Sequence, residues 1–121
     1  MLLAENDPQV RQLMAMVLEG EGLNVLSVAS GSEALAVSRR WSGQINLLVT
    51  DVVMGEAENG FALADQLRRE RPGIAVLVVS STRDSEQLAE QRGLAFLAKP
   101  FTPAALLKRV RCEMEIALAA T

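Results

Sequence analysis

Five apolar runs alternate with five stretches of helical periodicity along this chain, and that alternation restricts the fold more than any other feature. "LLAE" (2–5), "NVLSVA" (24–29), "INLLVT" (45–50), "IAVLVVS" (74–80) and "LAFLA" (94–98) are short and largely uninterrupted, as strands covered on both faces are. Between them, "DPQVRQLMAMVLEGEG" puts Val10, Leu13, Met14, Val17 and Leu18 at the spacing of one helix face. Asp7 is a natural N-cap, Pro8 suits the first helical position, and Gly20 with Gly22 closes the helix. "SGSEALAVSRRW" (30–41) predicts a second helix with Ala34, Leu35 and Val37 inward, and "FALADQLRRER" (61–71) a third, stopped by Pro72-Gly73. "DSEQLAEQRG" (84–93) is shorter and more polar, and Thr102-Pro103 opens a last helix running to about Ala119. Strands that alternate with helices form a parallel sheet covered on both faces. Right-handed crossovers then leave only a few doubly wound topologies.

The 121 residues suit one domain, with no repeat, low-complexity segment or linker, so 1–121 is expected to be a single domain without an output domain. Half the residues are hydrophobic but only 3% are aromatic, so the core must be built from Leu, Val, Ala, Met and Ile. A net charge of −3 and the scarcity of stacking aromatics argue against a nucleic-acid partner. With no His and the single Cys112, an intramolecular disulfide, multi-Cys metal sites, His-based zinc sites and Ser-His or Cys-His triads are excluded. No apolar run approaches the roughly 18–20 residues that span a bilayer. "MLLAEND" reaches its charges too early for a signal peptide. No membrane partner is expected, and the location expected is cytoplasmic.

In doubly wound sheets, ligands sit beyond the carboxyl ends of the strands. Here those ends carry Glu5-Asn6-Asp7, Thr50-Asp51, Ser80-Ser81-Thr82 and Lys99-Pro100. Asp51 interrupts the apolar stretch "LVTDVVMG", where an unpaired buried carboxylate costs several kcal/mol, so cationic company or a watered rim is required. Clustered oxygens without His or Cys suit a hard cation, and Mg²⁺ takes few protein ligands beside water and phosphate. An aspartate next to a divalent cation and a lysine is equipped to attack phosphorus.

The acidic cluster followed by "DP", then "TDVVM", "VVSS" and "AKPF", in this order at these strand ends, resembles the receiver domains of two-component response regulators over essentially the whole chain. The "TDVVM" and "NG" style is similar to that of receivers attached to hybrid sensor kinases. The resemblance implies a flavodoxin-like (βα)5 fold with strand order 2-1-3-4-5. It makes Asp51 the phosphoacceptor, with Mg²⁺ held by Glu5, Asn6, Asp51 and the backbone carbonyl of Val53. Lys99 is then the site lysine, with a cis bond to Pro100; Ser80 is the switch hydroxyl and Phe96 the switch aromatic. The implied donor is a histidine kinase or histidine phosphotransfer protein. The implied readout is a downstream protein on the face of the fourth helix, fifth strand and last helix, with a phosphorylation-linked homodimer left open. Such a domain is a phosphoacceptor rather than an enzyme, beyond slow self-dephosphorylation.

Several positions depart from the pattern. Asn6 stands where a second carboxylate is usual; shifting by one would enlist Asp7, but Pro8 ties Asp7 to capping. Gly55 replaces a common proline, the Gly55–Gly60 loop is one residue longer, and the two glycines suggest a flexible lip. Ser81 replaces a small apolar residue. Asn6 keeps alive an alternative, a phosphorylation-independent receiver acting as a binding module. An unrelated Mg²⁺ phosphatase or flavoprotein of the same fold is disfavoured, because no Gly/Ser/Thr-rich phosphate loop follows the first strand and aromatic residues for a flavin are scarce. Arg68, Arg69 and Arg71 are expected to complement a helix dipole. Lys108, Arg109 and Arg111 form a solvated face or a docking surface, and Cys112 is expected in the core.

Overall fold

The computed structural model describes residues 1–54 and 59–119. Its elements, in chain order, are β1 (Leu2–Ala4), α1 (Pro8–Glu19), β2 (Leu26–Val28), α2 (Gly31–Arg40), β3 (Leu47–Asp51), α3 (Gly60–Glu70), β4 (Ala75–Ser80), α4 (Arg83–Gln91), β5 (Ala95–Ala98) and α5 (Pro103–Ala119). All five strands are parallel, in the order β2-β1-β3-β4-β5. This is the doubly wound flavodoxin-like arrangement the motifs imply. The loop expectations for Gly55 and its neighbours lie outside the described residues.

Strand period two divides the apolar runs between two cores. Leu2, Ala4, Leu48, Val76 and Val78 pack under α2 and α3 with Ala34, Phe61, Leu63, Ala64 and Leu67. Leu3, Leu47, Val49, Leu77 and Val79 pack under α1 and α5 with Met14, Leu18, Leu106 and Val110. Burying a side chain of this size stabilises by about 1.5–3 kcal/mol, so both faces must be apolar and neither strand set can slip by one residue. Among the described residues no helix is long and apolar enough to cross a membrane.

Local chemistry fixes the helix starts. Asp7 accepts hydrogen bonds from the amides of Gln9 and Val10, with Pro8 opening α1. Ser30 accepts from the Glu33 amide, and Glu33 in turn accepts from the Ala29 amide. Asn59 caps α3 and Thr102 caps α5.

Three expectations are corrected. Leu13 is 53% exposed: α1 buries only the narrower stripe of Met14 and Leu18, flanked by half-buried Val10 and Val17. Gly20 caps α1 in right-handed geometry and Gly22 (φ 83°) takes the left-handed turn, so the two glycines close that helix as expected. Cys112 is exposed, because α5 turns Leu106 and Val110 inward and a residue two positions beyond Val110 points away. Arg71 does more than complement its own helix: its guanidinium donates to Ser38 Oγ, Ser38 O, Trp41 O and Gly43 O at 2.6–2.9 Å. It thereby satisfies the carbonyl end of α2 and the loop that follows. Arg111 pairs with exposed Glu21, whereas half-buried Arg109 pairs with Glu113 along α5.

Candidate functional site

Every strand of the parallel sheet delivers its last residue to one rim, and the polar groups meet there. Asp51 ends β3, in register with Val79, so Ser80 at the end of β4 lies one step further along the same edge. The Lys99 amide donates to Ser80 O at 3.0 Å, which fixes where β5 releases the chain. The Lys99–Pro100 peptide is cis, as the resemblance implied.

Lys99 Nζ lies 2.9 Å from Asp51 Oδ2 and 2.9 Å from Glu5 Oε2, joining side chains 48 and 94 residues away in the chain. The ammonium is the company that Asp51 requires. Asp51 Oδ1 accepts from the Val52 amide at 2.6 Å, and Glu5 Oε1 accepts from the Asp7 amide at 3.2 Å. Glu5 is buried, with only 2% of its side chain exposed, whereas Asp51 and Lys99 keep 15% and 19%. Burial pushes the Glu5 carboxyl above its ordinary value, outweighing the Lys99 hydrogen bond that pulls it down. Burial alone would lower Lys99, but its hydrogen bonds to Asp51 and Glu5 together hold it above the ordinary lysine value. With both carboxylates ionised, two negative charges face one positive, and the cluster attracts a further cation.

The other candidates are distributed unevenly. Asn6 is exposed beside Glu5, and Asp7 is committed to capping α1. Val53 is exposed and forms an isolated antiparallel bridge with Asn59. Among the described residues no three His, Cys, Asp or Glu side chains are grouped to hold a metal. At the rim Glu5 and Asp51 supply two carboxylates, with the Asn6 amide and the Val53 main chain adjacent to them in sequence. That oxygen-only, incomplete set fits a cation that keeps much of its water, as Mg²⁺ does. Phe96 is half-buried, opposite Val78 and against the α2–α3 core.

Two features of the rim escape sequence reasoning. Gly60 is a packing requirement rather than part of a flexible lip: a Cβ there would stand 2.0 Å from Asp51 O, and its amide donates to Val52 O at 2.8 Å. Only glycine lets α3 begin against the backbone of the site aspartate. The second feature is a set of three hydroxyls, Ser80, Thr82 and Ser85, bonded to one another at the start of α4. Thr82 and Ser85 carry a sequence signal only in hindsight, as hydroxyls spaced two and five residues after the strand-end serine.

The sequence model of the response regulator receiver domain family matches residues 1–111. The transcriptional regulatory protein GlrR of Escherichia coli is 29% identical over 124 residues, covering 100% of this chain and 27% of that protein. The sensor kinase CckA of Brucella abortus is 32% identical over 117 residues, covering 94% of this chain and 12% of that protein. The chain thus spans about a quarter or less of these curated relatives. Among solved structures, the receiver domain of the hybrid histidine kinase CckA superposes with a TM-score of 0.78 at 30% identity, covering 93% of this chain and 96% of that one. A CheY-like receiver from Methanospirillum hungatei reaches 0.87 at 22% identity, a likeness of fold, over 99% and 96% of the two chains. Sheet order, rim chemistry and these matches agree, and the chain belongs to the response regulator receiver domain family.

Proposed function

We propose that Asp51 accepts a phosphoryl group from a phosphohistidine donor and that the resulting charge switches a partner-binding surface. The reading is supported above all by the Glu5–Lys99–Asp51 bridge, which puts a nucleophilic carboxylate and an ammonium at a partly exposed rim. In the transfer, one Asp51 carboxylate oxygen forms a bond to phosphorus as the P–N bond to the donor imidazole breaks. The electron pair stays on the departing imidazole nitrogen. Lys99, 2.9 Å from Asp51 Oδ2, neutralises charge on the phosphoryl oxygens during transfer. The Val52 amide holds Oδ1 and so fixes the plane of the carboxylate.

Receiver domains generally bind Mg²⁺ at this site. Here Glu5, Asn6, Asp51 and the Val53 carbonyl would hold it, and bound Mg²⁺ would supply further neutralisation of phosphoryl charge. Ser80 then donates to the phosphoryl group and Phe96 turns inward, biasing the α4–β5–α5 face that a downstream protein or a second copy reads. Receivers work with histidine kinases or phosphotransfer proteins on one side and effectors on the other.

The test is intact mass after incubation with acetyl phosphate. Wild type with Mg²⁺ gains one phosphoryl group, whereas Asp51→Asn and a metal-free control gain none. A second reading, a phosphorylation-independent binding module, is favoured by exposed, uncharged Asn6 and by a Glu5 whose two oxygens already accept hydrogen bonds. Absence of both the adduct and beryllofluoride binding would establish it instead.

A further inference from the structure

Resting on the reading of Asp51 as phosphoacceptor, the hydroxyls after β4 can be given a definite role. A serine hydroxyl has one proton to donate and room to accept about two hydrogen bonds. Ser80 spends its proton on Ser85 Oγ at 3.1 Å, accepts from the Thr82 amide at 3.2 Å, and contacts Thr82 Oγ1 at 2.9 Å. Its capacity is filled before any phosphoryl group arrives. Ser85 has only 2% of its surface exposed, so no water stands ready to replace it as acceptor.

The same cluster involves the start of α4. Thr82 is the N-cap residue of α4, yet its side chain makes no capping hydrogen bond; its hydroxyl is bonded to Ser85 Oγ and Ser80 Oγ. The other capped helices α1, α2 and α3 spend an Asp, Ser or Asn side chain on their first amides. In α4 the equivalent hydroxyl is diverted into the cluster, leaving the first turn with fewer side-chain restraints.

We infer that Ser85 is a positioning residue that competes with the phosphoryl group for the Ser80 proton, holding the domain in its resting state. For Ser80 to donate toward Asp51 it must give up Ser85. That departure removes one of the two hydroxyls bonded to Thr82, so the site and the first turn of α4 change together. The phosphoryl group and Ser85 are alternative acceptors of one proton, and the preference between them sets how readily phosphorylation switches the domain.

The experiment is a beryllofluoride titration in Mg²⁺ by calorimetry on wild type, Ser85→Ala, Ser85→Thr, Ser80→Ala and the double variant Ser80→Ala/Ser85→Ala. Removing one competing hydrogen bond of ordinary strength should tighten Ser85→Ala by about fivefold. Ser85→Thr, which restores a hydroxyl, should return toward wild type. In the Ser80→Ala background the Ser85 substitution should change nothing, a coupling that general loosening of α4 would not produce. Unchanged or weaker binding by Ser85→Ala, or the same gain without Ser80, overturns the inference while leaving the Asp51 reading in place. Failure of wild type to bind beryllofluoride overturns both.

Discussion

Lys99 and Arg71 each tie together distant parts of the chain with one long cationic side chain, but their acceptors differ in kind. Lys99 bonds to two carboxylates, one buried and one at the rim. Arg71 bonds to one hydroxyl and three main-chain carbonyls. Around Arg71 the acceptors carry no formal charge, and its planar fork is matched to them, so the arrangement is complete as it stands. Around Lys99 two carboxylates face one ammonium, so where both are ionised an excess of negative charge is left for a further cation to balance. The two cations thus differ in the charge of what they hold as well as in the number of bonds they make.

The largest expected effect on stability comes from breaking the neutral network. Arg71→Ala removes four hydrogen bonds from a charged donor and should lower unfolding free energy in urea by about 2–4 kcal/mol. Phosphoryl uptake by the folded protein should not change. Arg71→Lys should recover only a minor part, since an ammonium cannot span acceptors on Ser38, Trp41 and Gly43 together. Full recovery by lysine would mean that charge near the α2 terminus, rather than the fork, carries the stabilisation.

Lys99→Met should lower stability less, by about 1–3 kcal/mol near pH 7.5, and slow phosphoryl uptake on the order of a hundredfold. The pH dependence separates it from the first variant. Glu5 is already held above its ordinary value by burial, and removing the ammonium raises it further. An acid with a raised folded value stabilises the fold below its ordinary value of 4.5 and loses that contribution as pH rises through the folded value. The deficit of Lys99→Met relative to wild type should therefore shrink from about pH 7.5 to about pH 5. A constant deficit would show that Glu5 does not feel the loss of Lys99.

These two cations also mark what the sequence makes legible. The rim around Lys99 could be anticipated because each of its residues directly follows an apolar run, and a parallel sheet brings all such positions to one edge. A separation of 94 residues between Glu5 and Lys99 was no obstacle, since topology alone closes it. No comparable rule governs Arg71, whose acceptors lie in the last turn of α2 and the loop after it and depend on how α3 happens to pass them. Gly60 and Ser85 were hidden for the same reason: one depends on an approach of backbone to Asp51, the other on a rotamer inside the first turn of α4. Leu13 and Cys112 show the limit of periodicity, which says that a face is apolar but not how wide a stripe the neighbours cover.

The exposed pair Arg39–Glu70 sharpens the comparison from its weak end. Here too a guanidinium meets a carboxylate, at 2.8 and 3.0 Å, but with 58% of the Arg39 side chain in solvent. The hydrogen bond from Arg39, assisted by Gln66, holds the Glu70 carboxyl down at about 2 against an ordinary 4.5. A depressed acid contributes stability that is fully present above its ordinary value and disappears as pH falls through the folded value, so this contribution is lost between 4.5 and about 2. Glu70→Gln should flatten the acid limb of the stability curve in that window. At neutral pH it should have the smallest effect of the three substitutions, and about 0.5 M salt should erase it because exposed charges are screened. Opposite charge thus does little where water already solvates both partners. At Lys99 the same pairing lies at the strand-end rim, with Glu5 withdrawn from water and Asp51 partly exposed. A Glu70→Gln loss equal to that of Arg71→Ala would break this ordering, since it would put the weight on the number of bonds rather than on solvent and charge.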